Sequence, residues 1–256
     1  MATQQKSPEH FAGAAGTTVD PAEVAKFSKL SDDWWDPNGR MAPLHKINPL
    51  RLGYIRDAAC RKFERNAKSL NCLAGLRILD IGCGAGLLCE PLTRLGAQLI
   101  GVDPSASNIA AARLHADKGQ LSIDYRCSTV EQMDGRERFD IVLAMEVVEH
   151  VSDVGMFLDR CAAMLKPGGM MVISTLNRNW KSFALAIVGA EYILRWLPRG
   201  THQWDKFVTP DELARDLSKN KLAITDRAGV VYNPLADRWS LSSDMDVNYM
   251  VVAEGI

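Results

Sequence analysis

The sequence predicts an α/β fold, a mostly parallel sheet with helices on both faces. Three observations carry that expectation. From Leu76 onward, short β-branched or apolar runs alternate with longer amphipathic ones, the rhythm of a parallel sheet wound with helices. The first apolar run, LRILDI, passes directly into LDIGCGAG and then into a helical pattern, a strand–loop–helix order that brings backbone close to a bound nucleoside. KPGG at 166–169 is a turn feeding another apolar strand, because Pro and Gly supply the dihedrals a tight turn needs.

Taken in order, the first twenty residues lack an apolar signal core and the arginine enrichment of a transit peptide, and read as a disordered tail. AEVAKFSKLSDDWW and PLRLGYIRDAACRKFERN read as helices separated by DPNGRMAPLHKIN. Five strands follow, LRILDI, QLIGVD, SIDYRC, FDIVLAM and GMMVIST, with LLCEPLTRL and ASNIAAARLHA among the helices between them. A helix from about Pro210, a strand near LAITDRAG and a last strand at VNYMVVAE complete a seven-stranded sheet. The expected organisation is a tail over 1–20 and a single domain over 21–256, with an N-terminal helical cap at 21–70 and an amphipathic insertion at 177–207.

Composition narrows the function. At 256 residues and 47% hydrophobic, the chain can bury one substantial core. Lys plus Arg (30) balance Asp plus Glu (31), so no global field draws in nucleic acid, and none is expected as a partner. Six cysteines without a CxxC pair suit free thiols in a reducing, cytoplasmic compartment. No apolar run in the sequence approaches the roughly 20 residues that span a bilayer.

In LDIGCGAG, glycines at 82, 84 and 86 permit a tight turn and close backbone approach. Leu87 stands where a dinucleotide fingerprint would carry its third glycine. Asp103 ends the next strand about 20 residues on, where a carboxylate can accept ribose hydroxyls; the alternative is a cap for the SASNIAAARL helix. Glu146, Glu149 and His150 in MEVVEHV stand at i, i+3 and i+4, so a helical turn would project all three to one side, as ligands for a magnesium-like ion or as helix cap and pocket wall.

With these residues the chain resembles the class I (Rossmann-like) S-adenosylmethionine-dependent methyltransferases. More narrowly it resembles the ubiquinone biosynthesis O-methyltransferases, through WWDPNGRMAPLHKINPLRLGYI, LDIGCGAGLL, MEVVEHV, LKPGGMMVISTLNRN, VGAEYILRWLPRGTHQWDKF and DVNYM. The resemblance implies methylation of a hydroxyl on a polyprenylated phenol or quinol at two steps of quinone synthesis, with other enzymes of that synthesis as partners. It implies S-adenosylmethionine as cofactor, held by Arg51, Gly82, Asp103 and Met145 beside the loop residue Gly84, and Mg2+ at Glu146, Glu149 and His150. A C-methyltransferase of the same pathway, or a non-catalytic lipid-binding or scaffold protein, are the competing readings.

Phenol chemistry explains what these groups would do. Ionising a phenol of pKa near 10 at pH 7 costs about 4 kcal/mol, so a cation bridging neighbouring oxygens or a general base is required. His150 with Glu149 is the expected catalytic pair; without a metal, His150 or His45 serves as base. A prenyl tail keeps such a substrate in the bilayer, at about 0.8 kcal/mol per buried CH2, so the enzyme must come to the membrane. The 177–207 segment carries Trp180, Tyr192 and Trp196, and five basic residues (Arg178, Lys181, Arg195, Arg199, Lys206) against Glu191 and Asp205. That pattern predicts contact with anionic lipid on the inner face of the cytoplasmic membrane.

Overall fold

Alternation along the central strands decides the layering. In β1 (Arg77–Ile81), Ile78 faces one apolar cluster while Leu79 and Ile81 face another, and β4 (Phe139–Met145) divides Ile141 and Leu143 from Phe139, Val142 and Ala144 in the same way. A strand that is apolar toward both sides needs helices on both. In the computed structural model, which describes residues 16–29, 33–182 and 204–256, the first face is covered by α2 (Ala42–Lys62), α3 (Cys89–Arg94) and α4 (Ala106–Lys118). The second is covered by α5 (Val154–Ala163) and α7 (Pro210–Lys219). The remaining α-helices among the described residues are α1 (Pro21–Ser28) and a single turn, α6 (Trp180–Ser182).

The sheet runs β3-β2-β1-β4-β5-β8-β6-β7, with β2 (Gln98–Asp103), β3 (Asp124–Cys127) and β5 (Leu165–Leu176) parallel to β1 and β4. β8 (Asn248–Gly255) enters antiparallel between β5 and β6 (Leu222–Asn233). Strand order reverses between β1 and β4, which opens a crevice beyond their carboxyl ends where ligands bind in such sheets.

Three expectations need correction. The described sheet has eight strands instead of seven, because β7 (Arg238–Ser242) adds an antiparallel edge against β6. RWSLS carries no apolar run of its own; Trp239 packing on the core beside α2 holds it in place. Helix α2 begins at Ala42 and takes in both Pro43, in its first turn, and Pro49, whereas the sequence reading placed a loop through PLHKIN. A proline in the first turn removes only an N–H that has no helical partner. Residues 16–20, expected as tail, are tied down: Thr18 N donates to Glu131 Oε1 (3.0 Å), Ser152 N donates to Thr18 O (2.8 Å), and Val19 bridges Val151. The tail expectation for 1–15 and most of the insertion, 183–203, fall outside the described residues.

The six cysteines are free thiols, and no helix among the described residues is long and apolar enough to cross a membrane. Phe139 is fully buried at the start of β4, with the Arg77 guanidinium 5.0 Å from its ring. Phe139→Ala is expected to lower unfolding free energy by about 3–5 kcal/mol. Leu235→Ala, at a side chain that is 99% exposed, is expected to change it by less than about 0.5 kcal/mol; denaturant titration of both variants measures the contrast.

Candidate active site

The loop after β1 turns back on itself because three glycines adopt left-handed backbone, Gly82 (φ 70°), Gly84 (φ 55°) and Gly86 (φ 86°). Space forbids a side chain there as well. A Cβ on Gly82 would stand 2.6 Å from Val147 Cγ2, and one on Gly84 would overlap the Trp34 ring. The loop and the ends of β1, β2 and β4 border a cavity of about 480 Å3, within the range that holds a cofactor-sized molecule.

Asp103, at the end of β2, is buried in this wall. Its Oδ2 accepts from Gly84 N (3.0 Å) and its Oδ1 from Ser105 N (2.9 Å) and Asn108 Nδ2 (3.3 Å). Burial pushes its carboxyl up to about 6 against those hydrogen bonds. Ser105, not Asp103, caps α4, accepting from Asn108 N. Asp103 therefore retains acceptor capacity toward the cavity, since a carboxylate offers about four lone-pair directions. Asp80 is more strongly affected: burial raises it to about 7, opposed by the Cys89 thiol donating to Oδ2 at 3.2 Å and assisted by the charge of Asp103.

The N-terminal segment roofs the loop. Trp34 Nε1 donates to Asn108 Oδ1 (3.1 Å), Trp35 Nε1 to Ala85 O (3.1 Å), and Asn48 Nδ2 to Leu87 O (2.7 Å). His45, expected as an alternative base, lies on α2 with Nε2 2.8 Å from Trp34 O, where it pins the roof. His45 does not line the cavity; Trp34, Arg51, Met145, Glu146 and His150 do.

MEVVEHV does not form one helical face. Glu146 takes a left-handed backbone (φ 58°), and only Val148–His150 closes a 3-10 turn, so the three candidate ligands diverge. Glu146 Oε1 pairs with Arg51 Nη2 (2.8 Å) and accepts from Ser174 Oγ and from Asn248 Nδ2 (3.0 Å). Glu149 is sealed beneath, its Oε2 accepting from Thr175 Oγ1 (2.8 Å). Burial first, and then the neighbouring Glu146, hold its carboxyl well above the ordinary range. Glu149, expected beside His150 as its catalytic partner, does not line the cavity. His150 instead meets a residue from α1, with Nδ1 2.9 Å from Glu23 Oε2. Among the described residues, no three His, Cys, Asp or Glu side chains are grouped to hold a metal ion, and the expected magnesium trio does not fit one as arranged.

A nucleoside cofactor fits better. The glycine cradle excludes side chains, Asp103 is buried at the crevice, and on the β3 side Thr129 Oγ1 and Glu131 Oε2 are buried without a hydrogen-bond partner among the described residues, on residues that line the cavity. Thr129, Glu131, Trp34 and Glu23 were missed in the sequence because their relation to the loop exists only after folding. The double tryptophan in an otherwise polar stretch was the one signal available.

Comparison with known proteins agrees with this geometry. A family model described as a methyltransferase domain matches residues 52–226. A ubiquinone biosynthesis O-methyltransferase of Bradyrhizobium sp. is 83% identical over 93% of this chain and 94% of its own length, and one of Nitrobacter winogradskyi is 81% identical over 99% of both. Among solved structures, magnesium protoporphyrin IX methyltransferase from Synechocystis with bound SAH shares 17% identity and a TM-score of 0.65, covering 93% of this chain and 100% of that one, a likeness of fold. The fold is the class I S-adenosylmethionine-dependent methyltransferase fold, and the chain belongs to the ubiquinone biosynthesis O-methyltransferases.

Proposed function

We propose that this chain transfers a methyl group from S-adenosylmethionine to a phenolic hydroxyl of a polyprenylated precursor, at both O-methylation steps of ubiquinone synthesis. The observation that carries the reading is one cavity shared by the glycine loop, Asp103 and a histidine. His150 lines that cavity, with Nδ1 2.9 Å from Glu23 Oε2. When bound, the cofactor supplies an electrophilic methyl on a sulfonium that departs as a neutral thioether.

The chain does the rest. Asp103 and the loop N–H groups hold the ribose end, Met145 packs softly on the wall, and Arg51 offers its guanidinium to a carboxylate while Glu146 keeps it oriented. His150 Nε2 takes the phenolic proton, offsetting the roughly 4 kcal/mol that ionisation requires at pH 7. Incubation with labelled S-adenosylmethionine and short-chain prenyl catechols or quinols tests the assignment. Label on oxygen in both substrates is expected. Label on ring carbon favours the C-methyltransferase, and cofactor binding without transfer favours a non-catalytic role.

Peripheral membrane association belongs to the same proposal. Its support lies in the flanks of the insertion, where Trp180 is 81% exposed and Trp204 40%, with Trp204 Nε1 donating to Asn179 O (3.0 Å). The electrostatic part is smaller than the residue count implies. Arg178 pairs with Glu212, Lys181 with Asp244 and Asp246, and Lys206 with Asp20; Arg195 and Arg199, outside the described residues, are the basic residues to probe.

Three outcomes are expected. Cofactor affinity measured calorimetrically should be flat above about pH 6.5 and fall as pH drops through about 6, where Asp103 takes up a proton and loses its charge; in the limit the loss is tenfold per pH unit. Asp103→Asn should weaken binding about 10- to 100-fold at pH 7.5, through loss of a charge-assisted acceptor, and remove that step. In sedimentation with anionic liposomes at low salt, wild type should pellet and Arg195→Glu/Arg199→Glu should not, with cofactor affinity unchanged. Wild type that stays in the supernatant ends the membrane reading.

A further inference from the structure

We propose that the turn of the β6–β7 hairpin, residues 234–236, is a second membrane contact, with Leu235 entering the lipid interface beside the insertion. The inference rests on the reading of the substrate as a resident of the bilayer. It adds an attachment point on the edge strand that the sequence did not predict.

Strand register sets the direction in which the hairpin points. Met145 pairs with Ser174, Leu176 with Asn248, and Asn248 with Val230, so Val230 marks on β6 the end of the sheet that borders the cavity. From there β6 continues to Asn233 without β8 beside it, and β7 returns from Arg238. Three residues at about 3.4 Å each carry the hairpin about 10 Å past its last pairing with β8. Residues 233–238 are all exposed, and Pro234, Leu235 and Ala236 at the tip are apolar; Leu235 is 99% exposed.

One bare leucine on a loose loop would mean little, but this one is held out by its neighbours. Asn233 Oδ1 accepts from Leu235 N (3.0 Å) and Ala236 N (3.1 Å), a side chain closing the turn in place of backbone. Asp237, the one carboxylate of the turn, is met by Lys46 Nζ from α2 (2.8 and 2.7 Å) and by the Tyr232 hydroxyl, so its charge is matched before lipid arrives. Arg238 next to it is exposed, a cation for anionic headgroups. Below the tip the Tyr232 and Trp239 rings lie 5.1 Å apart. Such rings, apolar in body and polar at one point, suit the depth where lipid meets water.

The foot of the hairpin is tied to the start of the insertion. After β7 the chain passes through Asp244 and Asp246, both held by Lys181 Nζ (2.7 and 3.0 Å). Asn177 Nδ2 donates to Met245 O (3.0 Å) and Asn179 Nδ2 to Asp246 O (2.6 Å). Trp180, 81% exposed, stands among these ties, which give the tip a fixed place beside the insertion.

The test compares wild type, Leu235→Asp, Leu235→Trp and Leu70→Asp in sedimentation with vesicles of phosphatidylcholine and phosphatidylglycerol at low salt. Leu70, 84% exposed, precedes β1 at the opposite end of the sheet, so its variant adds the same charge away from the proposed contact. Leu235→Asp is expected to partition about tenfold less than wild type, and Leu70→Asp to stay within about twofold. Brominated acyl chains are expected to quench the emission that Leu235→Trp adds over wild type. Turnover of a short-chain prenyl catechol and cofactor affinity should be unchanged in Leu235→Asp, the check on folding. Wild-type pelleting of Leu235→Asp, an equal loss in Leu70→Asp, or unquenched emission at position 235 overturns the hairpin contact and leaves the insertion as the attachment. A wild-type dimer in vesicle-free light scattering that Leu235→Asp dissociates assigns the tip to a second copy of the chain and overturns it too. Wild type that does not pellet removes the membrane reading and this inference together.

Discussion

Every feature of the cavity depends on a backbone that no side chain can share. Gly82, Gly84 and Gly86 each adopt a left-handed φ, a region most residues enter only at a cost, and each is closed in by a neighbouring side chain, Val147, Trp34 or Tyr125. That crowding lets the loop serve two surfaces at once. Its inner side bends toward Asp103, which accepts from Gly84 N, while its outer side takes the Trp34 ring and, through Ala85 O, the Trp35 indole. The cofactor cradle and the docking site of the N-terminal roof are therefore one piece of backbone.

The electrostatics of the pocket follow from its depth. Five carboxyl groups gather near the strand ends, at Glu23, Asp80, Asp103, Glu146 and Glu149, and their environments sort them. Asp80, Asp103 and Glu149 are pushed upward by burial, whereas Glu23 is kept anionic by His150 and nearby lysines, and Glu146 is paired with Arg51. Glu149 lies next to Glu146 and away from the cavity, which His150 lines.

Helix α1 links regions that lie far apart in the chain. Its cap, Asp20, meets Lys206 at the end of the insertion; its middle, Glu23, meets His150 after β4; its end, Ser28, meets Ser105 after β2. An eight-residue helix has little stability alone. It is held by what it touches, and in turn it sets one wall of the cavity.

The alternation of strands and helices, the glycine loop and the acidic residue at the end of the second strand were legible in the chain because they are local: period-two burial, left-handed turns and strand-end placement follow from short stretches. The blocks at 34–55 and 177–207 likewise carried the family. What failed was local inference about geometry made elsewhere. The i, i+3, i+4 spacing of Glu146, Glu149 and His150 assumed a continuous helix, and a left-handed residue at 146 broke it. Strand β7 gained its place from its pairing with β6 and its packing beside α2. The partner of His150 sits 127 positions away in a segment with no motif of its own. By itself the sequence determined the fold class, the cofactor loop and the family, because short-range sterics and apolar periodicity decide those. Only the tertiary structure decided which carboxylate faces the histidine, because charge pairing in a buried site depends on which elements pack together.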